Sequence, residues 1–304
     1  MSRSSTAPQV TPTLVLAGFG EVGQSYARSL LQKSVHLRIY HPSPSEHTKE
    51  AAATQGLVIC NSALAAFSEA DIVLSVAPGQ AALQIAAAAA GVLKPDALFA
   101  DLTSAAPSII RESAALFAVD AYIDVAIMGA VSIHGLRTPL LASGGGAQRL
   151  AAALQPLGFQ LESLPGSANG DATSLKILRS IFTKGMDAVV MECMLAAEAA
   201  GLRELLLQQL ADLDLSTTRE LIEMFVRTHV PAAARRKHEA HTAACQLHEL
   251  GIDAFATKAV QQRYEHTVSL MGKETRNPTV PPGGNIFDAV LPWMLQAERA
   301  KNIS

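Results

Sequence analysis

Three glycines and a lysine carry the chemistry that this sequence allows. Gly18, Gly20 and Gly23 occur in LVLAGFGEVGQSYARSL, Leu14 to Leu30, as Gly18-Phe19-Gly20-Glu21-Val22-Gly23. The run before them is apolar and the run after them has a helical rhythm, so they sit between a buried strand and a helix. There the spacing fits a dinucleotide turn. Gly18 permits the turn, Gly20 lets the backbone approach a pyrophosphate, and Gly23 lets the helix pack close to the sheet. The helix N-terminus then faces the negative charge. The competing reading is a tight strand–helix turn without a ligand. Lys176 lies in GDATSLKILRS, flanked by Leu175, Ile177 and Leu178. A lysine on so apolar a helix is partly desolvated, which lowers its pKa. An amine titrating nearer neutrality can take a proton from an alcohol or give one to a carbonyl. Ser180 follows on the same helical face and could hydrogen-bond the same substrate oxygen. Against this stands the habit of helix lysines to snorkel to solvent.

These residues need elements to hold them. Residues 13–168 alternate apolar runs with helical patterns: TLVLAGF, VHLRIY, LVIC, DIVLSVAP, ALFADLT, AYIDVAIMG and PLLASGG read as strands, most of them separated by helices. The alternation predicts right-handed crossovers and an α/β, Rossmann-type domain with a mostly parallel sheet covered on both faces. From residue 169 strong strands disappear. The run from Asp171 reads as one long helix of roughly 30 residues, on the order of 45 Å, ending at Gly201. It joins the first domain to an all-α domain over residues 169–304. Further helices are expected at 203–212, 216–228, 231–250 and 252–271. A loop is expected over TRNPTVPPGG, then a last helix, NIFDAVLPWMLQAERA, broken near Pro292. The polar start, residues 1–12, reads as a disordered tail.

The second strand ends in IYHPSPS. An acid here would accept a hydrogen bond from the ribose 2′-OH of NAD, but none is present and Glu46 comes later. His41, Ser43 and Ser45 could instead hold a 2′-phosphate, which points to NADP, with NAD as the alternative. Thr103 and Ser104, in DLTSAAP, stand at the carboxyl end of a strand, where parallel sheets bind their ligands. Ser104 could equally cap the following helix.

In this order the segments resemble the β-hydroxyacid dehydrogenase family, which includes 3-hydroxyisobutyrate dehydrogenase and is related to 6-phosphogluconate dehydrogenase. The resemblance covers residues 13–265, and the helical half looks like the branch with a divergent phosphogluconate-dehydrogenase-like C-terminal domain. SVAPGQAAL resembles the family's fourth-strand turn, which implies that Val76, Ala77 and Pro78 pass beside the cofactor. DLTSAAP is similar to D-x-S-T-x-x-P, which implies Thr103 and Ser104 near the nicotinamide. DVAIMGA stands where the family has D-A-P-V-S-G-G. Asp124 and Gly129 are retained, while Met128 replaces the serine that binds a substrate carboxylate. The Gly129 N–H could still hold an anion, in a more apolar pocket. GDATSLKILRS stands at G-x-G-x-x-x-K-x-x-x-N, where Gly170 and Lys176 match and Ala172 and Ser180 depart. A second family lysine corresponds by spacing to His238, beside Arg236 and Lys237. ARRKHEAH is then a helix face toward the cleft or a subunit interface, where Arg235 or Arg236 could hold an acidic substrate, or else a solvated basic face.

The resemblance implies an NAD(P)-dependent oxidoreductase that interconverts a hydroxy acid (a 3-hydroxy acid or sugar acid) and its carbonyl compound. Lys176 would be the general acid/base, and Met128, Gly129, Arg235 and His238 would meet substrate. The helical domains would form a homodimer. Three alternatives stay open. One is C=N reduction on the same scaffold, although imine reductases usually place Asp, Tyr or another residue at the Lys176 position. Another is a decarboxylating dehydrogenase, for which an obvious phosphate-binding arginine set is missing. The last is a dinucleotide-binding protein without turnover.

Composition narrows the field of partners. The chain has 304 residues, 49% of them hydrophobic, and a net charge of −3, with a mean hydropathy of +0.22 and a pI near 6.3. That balance gives no electrostatic footprint for nucleic acid. No apolar run reaches the roughly 20 residues that span a bilayer, and Ala81–Leu93 reads as a buried helix. Cys60, Cys193 and Cys245 are widely spaced and odd in number, so neither a metal site nor a disulfide framework is expected. A cytoplasmic setting is the natural one.

Overall fold

The computed structural model describes residues 11–271 and 284–301. Most of the expected N-terminal tail and of the TRNPTVPPGG loop lies outside the described residues. The chain divides into two compact units, Met1–Ser180 and Ile181–Ser304.

The first unit runs β1 (Thr13–Ala17), α1 (Glu21–Leu30), β2 (His36–Tyr40), α2 (Glu46–Thr54), β3 (Ile59–Cys60), α3 (Ala63–Phe67), β4 (Ile72–Ser75) and α4 (Ala82–Ala90). It continues with β5 (Leu98–Asp101), α5 (Pro107–Ala114), β6 (Tyr122–Ile127), α6 (Val131–His134), β7 (Pro139–Ser143), α7 (Ala147–Leu154) and β8 (Gln160–Ser163). One sheet contains all eight strands in the order β3-β2-β1-β4-β5-β6-β7-β8. Strand alternation gives it two buried faces. Leu14 and Leu16 of β1 enter a core with Tyr26 and Leu30 of α1 and Leu150 and Leu154 of α7. Val15 and Ala17 enter another with Phe67 of α3, Ile85 of α4 and Ile110 of α5.

All pairings are parallel except β6–β7. Only the one-turn α6 and a turn connect those two strands, which is too little chain for a parallel crossover. The sheet is thus mostly parallel, as expected, with an added strand that periodicity did not reveal. β8, GlnLeuGluSer, buries only Leu161 well, so its two-residue rhythm is too short to register.

The helix α8 (Asp171–Ala199) begins in the first unit and continues into the second, which also holds α9 (Arg203–Gln209), α10 (Thr218–Glu249), α11 (Phe255–Leu270) and α12 (Ile286–Lys301). α8 is 29 residues long, close to the expected length. Two proline-based boundaries need correction. α10 runs through Pro231, where two helices are expected, and α12 runs through Pro292 instead of breaking. A proline removes one helical hydrogen bond. Burial compensates: Val230 and Ala233 around Pro231 are fully buried, and Val290 and Trp293 around Pro292 pack with Val230 and Ile286. Among the described residues no helix is long and apolar enough to cross a membrane.

Candidate active site

The strand order reverses between β1 and β4, which makes the carboxyl ends of those strands the place where such sheets bind ligands. The turns there lie backbone against backbone. Gly18 has φ +109°, and a Cβ on it would stand 2.9 Å from the Ala77 nitrogen. A Cβ on Gly23 would stand 2.6 Å from the Gly18 oxygen, and one on Gly79 would stand 2.9 Å from the Ala105 nitrogen. Gly20 is different, because a Cβ there would meet nothing within 4 Å. It faces open space at the start of α1. No side chain caps α1, whereas Ser45 and Ser62 cap α2 and α3. The first amides of a helix need acceptors. At α1, as at α4, α5 and α7, no side chain supplies them; it is the open Gly20 turn together with those amides that fits a bound pyrophosphate.

The other expected cofactor residues differ in what they can offer. Phe19 buries its ring in the core, so only its backbone is available. Glu21 and Pro78 are exposed, while Val22, Val76 and Ala77 are half-buried at the rim. His41 accepts a hydrogen bond from the Ser43 N–H on Nδ1 (3.2 Å). Burial also pulls its imidazole below the ordinary value, so it is neutral at pH 7. Ser43 is exposed, and Ser45 is committed to the α2 cap. The ribose end therefore carries hydroxyls and a neutral ring, with no cation in residues 41–45.

Across the same edge a row of residues stands in register from strand to strand: Tyr40, Ala17, Ser75, Asp101, Asp124 and Ser143. Asp101 and Asp124 are fully buried. Asp101 accepts from the Thr103 N–H (2.8 Å) and from the Tyr122 hydroxyl (2.7 Å). Burial raises its carboxyl above the usual range. Those hydrogen bonds oppose the rise and the neighbouring Asp124 adds to it. Thr103 is thereby locked, with its hydroxyl accepting from the Ala105 N–H (3.3 Å). Ser104 is exposed and does not cap α5, whose N-cap is Ala106 with Pro107 following.

Asp124 accepts from the Gly170 and Thr173 N–H groups, both at 3.0 Å, and from the Thr173 hydroxyl at 2.6 Å. Gly170 immediately precedes α8, and Thr173 is in its first turn. Lys176 follows, half-buried and without an ion pair among the described residues. Burial pulls its ammonium below the ordinary value, and the Asp124 carboxylate partly offsets this. Its neighbours Leu175, Ile177 and Leu178 remain substantially exposed. Ser180, also half-buried, closes the first unit. Met128 is half-buried after β6, with its N–H donated to the Pro139 carbonyl (2.9 Å), and Gly129 beside it is exposed. Arg235 and His238 belong to the second unit. Both are exposed on α10, where Arg235 pairs with Glu239. The Asp101–Tyr122 and Asp124–Thr173 pairs carry a sequence signal, because an aspartate inside an apolar strand run is costly unless partnered.

Known proteins give the following likenesses. Residues 26–130 match the family described as prephenate dehydrogenase, nucleotide-binding domain; the match begins beyond the glycine turn. An uncharacterized 28.5 kDa protein in the 7S RNA 5′ region of Methanothermus fervidus is 28% identical over 195 residues, 64% of this chain and 74% of that one. A conserved protein of unknown function, whose structure was reported to resemble 3-hydroxyacid dehydrogenases, is 27% identical. It matches over 84% of this chain and 97% of its own, with a TM-score of 0.60. An imine reductase variant from Myxococcus stipitatus, in complex with NAD+, is 19% identical over 88% of this chain and 96% of its own, with a TM-score of 0.68. The fold is similar to that of these dehydrogenase-like and reductase structures.

Proposed function

We propose, for a chain whose likenesses are consistent with the β-hydroxyacid dehydrogenase family, an NAD(P)-dependent oxidoreductase that interconverts a hydroxy acid and its carbonyl compound. Lys176 is the general acid/base. The observation that carries this reading is the state of that lysine: half-buried, free of an ion pair among the described residues, and held below its ordinary pKa by burial. A bound dinucleotide supplies hydride exchange with the substrate carbon. Gly18, Gly20, Gly23 and the α1 amides would hold its pyrophosphate, and the Thr103 turn would lie toward its nicotinamide end. In oxidation the neutral Lys176 amine takes the hydroxyl proton as the carbon–hydrogen bond breaks. In reduction its ammonium returns a proton to the carbonyl oxygen. Ser180 and the Gly129 N–H orient the substrate. NADP is the preferred cofactor because no acid ends β2, although the neutral His41 makes the preference modest.

A second reading, C=N reduction, draws support from Met128. A thioether replaces the expected serine just after β6, and an apolar group there suits an imine better than a carboxylate.

Titration with NADPH and NADH, followed by reduced-nicotinamide fluorescence, comes first. Tenfold tighter NADPH binding, about 1.4 kcal/mol, is expected. Binding of neither would overturn the oxidoreductase reading. Wild type and Lys176→Met are then assayed on hydroxy acids, ketones and cyclic imines. Loss of about 10²–10⁴-fold in alcohol oxidation is the size expected for a general base, and full activity in the variant would remove Lys176 from the mechanism.

A further inference from the structure

We propose that Asp124 is the positioning residue of this site: its carboxylate anchors the first turn of α8 to the carboxyl edge of the sheet and so fixes where the Lys176 amine stands. This role rests on Lys176 being the proton-transfer group and assigns the side chain that places it.

The first amides of any helix lack intrahelical acceptors, and a neighbouring Ser, Thr, Asp or Asn usually serves them. At α8 the acceptors come from the sheet instead. The Gly170 and Thr173 N–H groups both donate to Asp124 Oδ2 at 3.0 Å, and the Thr173 hydroxyl donates to Oδ1 at 2.6 Å. The Ser143 hydroxyl donates to Oδ2 at 3.0 Å, while its oxygen accepts the Ala172 N–H at 3.0 Å. The Asp124 N–H itself donates to the Asn169 side chain at 3.2 Å. Asn169, Gly170, Ala172 and Thr173 are thus each bound to β6 or β7, while the Asp171 N–H turns back to the Ala168 carbonyl.

A cap borrowed from the preceding residue would stabilise a helix without locating it. A cap supplied from 46 to 49 residues away fixes both the height and the rotation of the helix start relative to the strand. Lys176 lies three residues after Thr173 and so shares its face. The chain enters this turn through Gly170 at φ +100°, where a Cβ would come within 3.1 Å of Arg111 Nη1 and 3.3 Å of the Pro107 carbonyl. The charged or titratable groups at the helix start are Asp124 of β6, Asp101 next to it in register on β5, Arg111 of α5, and Asp171 of α8 itself, whose carboxylate accepts the Ala168 N–H. Asp124 is the carboxylate that acts on Lys176. A negative charge at a helix N-terminus is also favoured by the helix dipole, and the carboxylate held there acts on the Lys176 amine through its charge.

The full-length protein tests this without a known substrate. The reactivity of Lys176 toward acetic anhydride is followed against pH by mass spectrometry in wild type, Asp124→Asn and Thr173→Val. Hydrogen exchange of residues 170–178 is followed in parallel. Removing the charge in Asp124→Asn is expected to lower the Lys176 titration and to raise its reactive fraction at pH 8 several-fold. Thr173→Val keeps the carboxylate, so the titration stays in place, while exchange at 170–178 becomes about tenfold faster, equivalent to about 1.4 kcal/mol. An unchanged Lys176 titration in a folded Asp124→Asn protein overturns the proposal and leaves Asp124 as a structural cap. If Asp124→Asn does not fold, unchanged exchange in Thr173→Val overturns it. Loss of the catalytic reading is recognised separately, because Lys176→Met would retain turnover while the labelling shift persisted.

Discussion

Asp101 is where charge and burial conflict most sharply. Its carboxyl is fully enclosed, accepts from the Thr103 N–H and the Tyr122 hydroxyl, and neighbours Asp124 in register. Burial therefore places its folded pKa above that of the unfolded chain, about 3.9 for an aspartate. As pH rises past the unfolded value, the unfolded state ionises while the folded state still holds its proton. Stability from this residue is then lost progressively until the folded value is passed. Asp101→Asn removes that loss while keeping an oxygen for the Thr103 N–H. Thermal melts at pH 4, 5.5 and 7 are expected to show the variant's melting temperature gaining on wild type as pH rises. A difference that stays flat or shrinks would mean that Asp101 is ionised in the fold. Apolar flanks single Lys176 out in the sequence, yet Leu175, Ile177 and Leu178 are themselves exposed, so its chain neighbours do not account for its burial. Asp101 and Asp124 take their meaning from partners that only the sheet brings near, so their role could not be read from local context.

At the scale of elements, the parts legible beforehand are those fixed by short-range stereochemistry. The glycine turn, the strand–helix alternation and the long α8 belong to this group, since each is set by residues within one or two turns of one another. Helix ends and proline positions do not, because distant side chains decide them. Glu192 of α8 shows this again in the second unit. Its carboxylate accepts from the Ala256 N–H at 2.5 Å, the Thr257 N–H at 2.9 Å and the Thr257 hydroxyl at 2.8 Å, and so caps α11 from 64 and 65 residues away. Burial alone would raise this carboxyl, but the hydrogen bonds prevail and hold it below the usual range. A depressed acid stabilises the fold above its unfolded pKa and loses that contribution as pH falls through the folded value. Glu192→Gln is expected to cost about 1–2 kcal/mol at pH 7, the scale of a lost cap. Between pH 7 and a pH below the depressed folded value, which itself lies under the ordinary glutamate value of about 4.3, the difference should close. Urea melts at both pH values measure it, and an equal loss at both would show that shape rather than charge holds α11.

For the whole molecule, the apolar surface of the second unit asks for a partner. Phe182, Met186, Val190 and Leu195 of α8 are each between 43% and 52% exposed. A cavity of about 580 Å³ nearby is lined by Val189, Cys193, Ala196, Leu205, Leu206 and Leu247. Monomers rarely leave contiguous apolar patches beyond a few hundred Å² in water. We propose a second copy of this chain as the occupant, in keeping with the homodimer that the family resemblance implies. Sedimentation equilibrium at micromolar concentration is expected to give the mass of a dimer. Met186→Glu combined with Leu195→Glu supplies the sharper test. Surface substitutions away from special features change stability by only about 0.5 kcal/mol, so in a monomer both charges would be tolerated. In a dimer they place two unpaired carboxylates in an apolar interface, which is strongly unfavourable. The variant should then sediment as a monomer with a lower melting temperature. A wild-type protein that sediments as a monomer would leave this surface to a different partner, while an unaltered dimer in the variant would move the interface off this face of α8.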